Sequence, residues 1–495
     1  MIDPLSHIAR AIGDHATLAT QFTDLAPALT QRQAIIESQR CLYCYDAPCT
    51  RACPTEIDVA SFIRNIANDN INGAAKSILQ ENIFGGSCTR ACPTEIDVAS
   101  FIRNIANDNI NGAAKSILQE NIFGGSCARV CPTEVLCEQA CVRNHDAEGQ
   151  PVKIGLLQRH AIDHMQFDGH PFQRAAPTGF TVAVVGAGPA GLACAHRLAM
   201  LGHDVVIFDS RSKAGGLNEY GIAKYKLTDD FAQREVEFLL GIGGISLELG
   251  QTLGIDFDLK TLREKYSAVF LGIGLAASRR LGLTGDDAPG LLAAVDYIAQ
   301  LRQAEDLSQL AVPPRCLVIG AGNTAIDIAV QMTRMGAQEV TLVYRRDAQS
   351  MSATLHEQHI AKAHQVRLRT WARPHEVLLN ESGHVRGMKF ERTQLVEGRL
   401  LGTNEFYDEA ADAIFIAIGQ CFEPITGETS ITIDSADKIQ IDAQFRTRAP
   451  RVYAGGDCVE QGEDLTVQAV QHGKLAAASI HADLQGVKGQ LQWPI

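Results

Sequence analysis

Thr181-Val-Ala-Val-Val-Gly186-Ala-Gly188-Pro-Ala-Gly191 is the stretch that decides how this chain folds. A short β-branched run empties into three glycines, and an apolar, alanine-rich helical segment follows. The next apolar run ends at Asp209, 18 residues past Gly191. In such a unit the first glycine makes the turn and the second lets backbone approach a pyrophosphate. The third allows close helix–strand packing, and the helix N-terminus faces the phosphates. An acid at the end of the following strand, here Asp209, can accept hydrogen bonds from ribose hydroxyls. One tight structural turn would not need strand, helix and acid together, so the unit reads as a dinucleotide site.

The pattern recurs downstream. Cys316-Leu-Val-Ile-Gly320-Ala-Gly322-Asn323-Thr-Ala325-Ile-Asp327 is a second strand–glycine–helix unit, with Ala325 as a tolerated replacement for the third glycine. Its next strand ends in Tyr344-Arg345-Arg346 instead of an acid. Guanidinium groups there can clamp a 2′-phosphate or stack on adenine. Two such units imply FAD in one lobe and a nicotinamide nucleotide in the other. Near the end, Val452-Tyr-Ala-Gly-Gly456-Asp457 precedes a helix beginning near Val467-Gln468-Ala469. An acid there can bind a flavin's ribityl or phosphate oxygens, and the helix N-terminus can stabilise negative charge on the ring. The runs DVVIFD, AVFLGIG, VTLVYR and AIFIAIG complete an α/β signature of parallel sheets covered by helices.

The whole chain is consistent with that reading. Its 495 residues suggest about three domains. The charge sum, 44 − 57 = −13, argues against a nucleic-acid binder. With 46% hydrophobic and 20% charged residues it is globular rather than disordered. The start, MIDPLSHIAR, lacks a basic region followed by an apolar run. A soluble, cytoplasmic protein is expected. The part carrying the two glycine loops contains no CxxC, which disfavours a dithiol disulfide reductase. Histidines such as His356 and His472 form no ligand-like group and are expected to be solvated or structural.

Residues 1–175 differ from the rest. Ile57, Phe62, Ile63 and Ile66, then Ala74, Ala75, Ile78 and Leu79, fall at helical spacings, with a break at 68–73. Ten of the 14 cysteines lie between Cys41 and Cys141. The first run is Cys41-x2-Cys44-x4-Cys49-x3-Cys53-Pro, and a later one is Cys127-x3-Cys131-Pro-x4-Cys137-x3-Cys141. Structural zinc usually takes two separated pairs. Four thiolates so closely spaced, ending in Cys-Pro, instead resemble ferredoxin spacing, in which the fourth cysteine serves another cluster. Two [4Fe–4S] clusters are expected.

Between these runs stands an exact repeat. Thr50–Cys88, TRACPTEIDVASFIRNIANDNINGAAKSILQENIFGGSC, recurs letter for letter over Thr89–Cys127, 39 residues in each copy. The similarity of Cys49-Thr-Arg-Ala-Cys53-Pro-Thr-Glu to Cys127-Ala-Arg-Val-Cys131-Pro-Thr-Glu suggests recombination between them. The extra copy is then a recent tandem duplication or an error of sequence assembly; a working third cluster site is the alternative. If one copy is expelled, Ile57, Phe62 and Ile63, or their twins Ile96, Phe101 and Ile102, lose their burial. Cys49 and Cys53 can serve both clusters from one short segment. Cys92 could replace Cys53 only if the chain looped out between them, at an entropic cost. Cys53 is therefore the expected ligand, with Cys88 and Cys92 free.

CLYCYDAPCTRACPTEIDVASFIRNIANDNINGAAK, together with GGSCARVCPTEVLCEQAC, resembles the N-terminal iron–sulfur domain of dihydropyrimidine dehydrogenase. GGLNEYGIAKYKLTDDFAQREVEFLL is similar to the nucleotide-binding subunit of the bacterial two-subunit, NAD-dependent form. The resemblance covers nearly the whole chain apart from the repeat. The glutamate synthase small subunit shares the architecture, but its cluster region is less similar. The resemblance implies a helical double [4Fe–4S] domain over 1–175. It implies an FAD lobe over 176–290 and 412–495, split by an inserted NAD(P) lobe over 291–411. Cys41, Cys44, Cys49 and Cys141 are the implied ligands of one cluster, and Cys53, Cys131, Cys137 and Gln158 of the other, with Cys127 a non-ligand. Gly186, Gly188, Gly191, Asp209, Gly216, Gly456, Asp457 and Gln468 are assigned to the flavin. Gly320, Gly322, Asn323, Arg345 and Arg346 are assigned to the nicotinamide nucleotide, taken as NAD with NADP permitted by the arginines. The implied path runs from nicotinamide to flavin to clusters and on to a partner FMN-containing catalytic subunit, where pyrimidine is reduced. No catalytic residue is therefore assigned in this chain. Two other readings stand: an electron donor of the glutamate synthase type, and a flavin-binding scaffold whose cluster assembly the duplication has destroyed.

Overall fold

The computed structural model describes residues 5, 8–11, 13–24, 27–30, 32, 33, 36, 91–145, 149–423, 425, 431–434 and 437–486. The chain divides into two compact units. One comprises Ala26–Gly215, Phe231–Gly274 and Pro424–Ile495; the other comprises Met1–Leu25, Gly216–Asp230 and Leu275–Glu423.

Among the described residues, the helices of the first unit begin in the second copy of the repeat. Helix α1 (Val98–Ala106) is capped by Asp97, whose carboxylate accepts from Ser100 N at 3.0 Å. Helix α2 (Ile110–Glu120) is capped by Asn109, accepting from Gly112 N at 3.0 Å. Both caps satisfy backbone donors that a helix start leaves unpaired. Ile57, Phe62, Ile63, Ile66, Ala74, Ala75, Ile78 and Leu79, read as helical from their spacing, lie outside the described residues; their counterparts in the second copy, Ile96, Phe101, Ile102, Ile105, Ala113, Ala114, Ile117 and Leu118, are all buried. Helices α3 (Gly124–Val130) and α4 (Ile154–Asp163) complete this bundle.

The same unit holds a five-stranded parallel sheet. Its strands are β1 (Thr181–Val185), β2 (Asp204–Asp209), β3 (Ile245–Leu249), β4 (Ala268–Leu271) and a late strand, Val452–Ala454. Their order is Val452–Ala454, β4, β1, β2, β3. Val182, Val184, Ile207 and Phe270 are fully buried, as central parallel strands require. Helix α5 (Pro189–Met200) follows the first glycine loop, α6 (Phe231–Leu240) lies later in this unit, and the terminal helix runs Thr466–Gln485. A Cβ on Gly473 would stand 2.2 Å from Ala190 O, so the terminal helix and α5 touch backbone to backbone.

The second unit has its own parallel sheet of β5 (Leu291–Ala293), β6 (Arg315–Gly320), β7 (Glu339–Val343), β8 (Arg367–Arg369) and β9 (Ala413–Ala417), ordered β5-β9-β6-β7-β8. A three-stranded antiparallel meander, Ala372–Leu379, Val385–Val396 and Arg399–Ala410, accompanies it. Helix α7 (Asn323–Met335) follows the second glycine loop. β9 pairs in parallel with β6 from Ala413↔Cys316 to Ala417↔Gly320, so AIFIA belongs to the second sheet. All five of its residues pair with β6 on one side, and Ile414, Phe415 and Ile416 pair with β5 on the other.

Candidate functional site

Gly186 has φ +102°, and a Cβ there would lie 2.2 Å from Gly272 O. A Cβ on Gly191 would meet Gly186 O at 1.9 Å. The first and third glycines are thus required by turn and by packing. Gly188 is different: at φ −82° and ψ −178° its backbone suits any residue. Its lack of a side chain serves the space in front of the loop, where a dinucleotide's pyrophosphate would approach the N-terminus of α5. The Asp209 carboxylate accepts from Ala187 N at 2.6 Å and Arg211 N at 2.8 Å. It therefore braces the loop.

At the same carboxyl end of the sheet, beyond β4, a Cβ on Gly274 would lie 3.3 Å from Asp457 Oδ1. Gly456 N donates to His472 Nδ1 at 3.2 Å, and His472 Nε2 lies 3.1 Å from Gln468 Nε2. Burial lowers the pKa of His472 and keeps it neutral. His472 is structural as expected, and it fixes the glycine beside Asp457; His356 is exposed. Gly216 falls in the second unit, at the start of the short helix Leu217–Tyr220.

The second loop repeats the logic. Gly320, at φ +152°, could carry a Cβ only 2.2 Å from Ala417 O. Gly322 is extended (φ −93°), and a Cβ on it would meet only Ser352 Oγ at 3.4 Å. Again the first glycine answers to the fold and the second leaves a cradle. Ala325 is fully buried, in the third-glycine position. Arg345 and Arg346 are exposed beyond the end of β7. The sequence reading missed what lies behind this loop. Asp327 on α7 accepts from Tyr225 Oη at 3.0 Å and pairs with Lys226 Nζ at 2.7 Å, while Lys226 also reaches Glu357 at 2.6 Å. Burial opposes the Lys226 charge, but Asp327 and Glu357 more than offset it and hold its pKa above the ordinary value. The signal was the unexplained Lys-Tyr-Lys within GIAKYKL.

In the helical bundle, Cys41, Cys44, Cys49 and Cys53 lie outside the described residues. Cys92, Cys127, Cys131, Cys137 and Cys141 are described, all as free thiols. The Cys131 thiol is pushed up by its hydrogen bond to Cys127, by burial, and by the nearby Cys127, Cys92 and Cys137. Burial, then Glu138 and Cys92, push Cys137 up. Cys92, Cys131 and Cys137 thus form one neighbourhood. Gln158, on α4, is buried, and its Nε2 donates to Gly124 O at 2.7 Å. Among the described residues no three acidic, histidine or cysteine side chains converge on a single ion. A cubane differs, because each ligand binds a separate iron corner and the thiolates stand apart. The donor set suits a cluster.

Helix α3 carries Cys127 and leads into Cys131, and its N-terminus is capped from α6. The Glu235 carboxylate accepts from Gly125 N at 2.9 Å, from Ser126 N at 3.1 Å and from the Ser126 hydroxyl. A Cβ on Gly125 would stand 2.4 Å from the Phe231 ring, and Arg129 stacks over that ring at 3.7 Å. Burial is the larger influence on Glu235. It outweighs these hydrogen bonds and Arg129 and holds the carboxyl at about 7.

These features define a two-loop nucleotide oxidoreductase with a cysteine-rich helical domain. Residues 180–473, more than half of the chain, match the pyridine nucleotide-disulphide oxidoreductase family, and the chain belongs to it. Residues 18–95 and again 86–169 match the dihydropyrimidine dehydrogenase domain II, 4Fe-4S cluster, so each match holds one copy of the repeat. FAD, NAD(P) and [4Fe–4S] clusters are the cofactors. The chain is 32% identical, over 94% of its length and 97% of the relative's, to the NAD-dependent dihydropyrimidine dehydrogenase subunit PreT of Escherichia coli (strain K12). It is 35% identical, over 70% of its length and 77% of the relative's, to the glutamate synthase [NADPH] small chain of the same organism. FprA, a Mycobacterium tuberculosis oxidoreductase, shares the fold at 18% identity and a TM-score of 0.52, covering 63% of this chain and 87% of that one. Among the described residues no helix is long and apolar enough to cross a membrane.

Proposed function

We propose that this chain is the electron-input subunit of a dihydropyrimidine dehydrogenase. It would take electrons from NAD(P)H and deliver them to a partner FMN-containing catalytic subunit that interconverts uracil or thymine and their 5,6-dihydro forms. The observation that carries this reading is the end-to-end match to the PreT subunits, cluster region included. FAD, when bound, accepts a hydride from the nicotinamide, and the clusters pass its electrons on singly. The chain's own part is to hold these groups. Gly186, Gly188, Gly191, Asp209, Gly456, Asp457 and Gln468 would frame the flavin, with Gly216 assigned on resemblance alone. Gly320, Gly322 and Asn323 would frame the nicotinamide nucleotide, with Arg345 and Arg346 beside its adenosine. Cys41, Cys44, Cys49 and Cys141 would hold one cluster; Cys131, Cys137, Gln158 and the Cys-Pro cysteine of the repeat would hold the other. NAD is the proposed coenzyme, following the PreT relatives. A tenfold NADPH preference in kcat/KM would overturn that choice.

The glutamate synthase match supports a second reading, an electron donor to an amidotransferase-type partner. Co-purification from cells separates the two, since the first requires a pyrimidine-reducing FMN protein as the bound partner. Broad visible absorbance beyond the flavin bands is expected of the purified protein. Flavin bands alone would favour the cluster-defective scaffold.

A further inference from the structure

The repeat poses a question that resemblance does not answer, because the family pattern fits both copies. Thirty-nine extra residues must be accommodated whichever copy builds the bundle, so loop-closure entropy is spent either way and does not favour Cys53. The packing of the second copy supports its use in the bundle. From Ala91 onward the second copy runs without interruption through α1 and α2 into α3, whose last four residues lead straight to Cys131. Ile96, Phe101, Ile102 and Ile105 are buried within it.

The second copy is also fastened to the first parallel sheet's own helices. Lys474 Nζ, on the terminal helix, donates to Thr94 O at 3.1 Å and pairs with Glu120 Oε2 at 2.8 Å. Arg197 on α5 donates to Gln119 O at 2.8 Å. Thr94 and Glu120 are both buried or nearly so, and Lys474 is 7% exposed, so this is an internal fastening rather than a surface ion pair. Thr94 stands two residues from Cys92, and its hydroxyl lies 3.3 Å from the Cys92 sulfur. The lysine clamp therefore fixes the position of Cys92 as well as that of the helices behind it.

We infer that the second copy of the repeat is the working one, and that Cys92, rather than Cys53, joins Cys131, Cys137 and Gln158 in holding the second cluster. This rests on the proposed iron–sulfur reading and deepens it. The consequence is that Cys53 is a spare thiol, reactive in the loaded protein while Cys92 is masked by iron.

The test must separate identical peptides, because trypsin releases ACPTEIDVASFIR from both copies. Ile57→Val marks the first-copy peptide by mass without touching the second. The marked full-length chain, loaded with iron and sulfide, is alkylated anaerobically and then digested. The inference expects alkyl on Cys53 and protection of Cys92; protection of Cys53 with alkylation of Cys92 overturns it, as does equal protection of both. A second arm uses Cys53→Ser, for which about eight iron atoms per chain are expected, as for the unsubstituted protein. A fall to about four overturns the inference. If the unsubstituted chain binds no iron and sulfide at all, it is the iron–sulfur reading itself that fails, a result readily told from the others.

Discussion

Gly188 and Gly186 sit two residues apart in one loop and answer to different demands. The backbone of Gly188 is ordinary, so Gly188→Val should fold normally yet purify without flavin, its side chain filling the space kept for the pyrophosphate. Retained flavin in that variant would remove the first loop from the site. Gly186→Ala should instead lower stability by more than about 1 kcal/mol, from its positive φ and its collision with Gly272 O. Lys226 makes a similar point in the other unit. Lys226→Met leaves Asp327 and Glu357 buried without their cation and should cost about 3–5 kcal/mol in a denaturant titration. Restoration by Lys226→Met combined with Asp327→Asn would show that the unpaired charge, rather than lost packing, is responsible.

Among the elements, α3 and α6 are joined by one buried carboxyl. Glu235 is held at about 7 in the folded protein, against an ordinary 4.5, because burial disfavours its charge. The folded state therefore binds more protons than the unfolded state between these values. The stability this contributes is complete below pH 4.5 and is lost as pH rises through 7. A shift of that size is worth on the order of 3 kcal/mol. Thermal melts from pH 5 to 8 should show the decline, and Glu235→Gln should flatten it; an unchanged slope would mean that the carboxyl is already ionised. The parallel strands that lead into glycines were legible in the sequence, because a fully buried strand is a continuous apolar run. The caps Asp97 and Asn109 lie in letters that the first copy shares, as Asp58 and Asn70, so letters alone did not say which copy folds. The antiparallel meander was not legible. Its strands carry charged residues such as Lys389, Arg392 and Glu405, and its turn, Glu397-Gly398, has positive φ at both residues without the usual Asn-Gly. Letters alone did not place AIFIA either: it has the same apolar character as the first-sheet strands, and only pairing assigns it to the sheet of β6.

For the whole molecule, the 39-residue repeat and the electron path are the tests of scale. Deleting 50–88 or 89–127 yields the same protein, because the copies are identical. That single variant should keep about eight iron atoms per chain and melt higher than the parent. Loss of iron, or about twelve atoms in the intact chain, would make the extra copy a working part. The purified chain should reduce an artificial acceptor with NADH unaided, since both glycine loops are built within it. The central claim is narrower: electrons enter here and pyrimidine is reduced elsewhere. It is tested most directly by following NADH oxidation anaerobically on addition of uracil, with and without an FMN-containing dihydropyrimidine dehydrogenase catalytic subunit. The account predicts uracil-dependent NADH oxidation only when both proteins are present; turnover of uracil by this chain alone, or none with the partner bound, would contradict it.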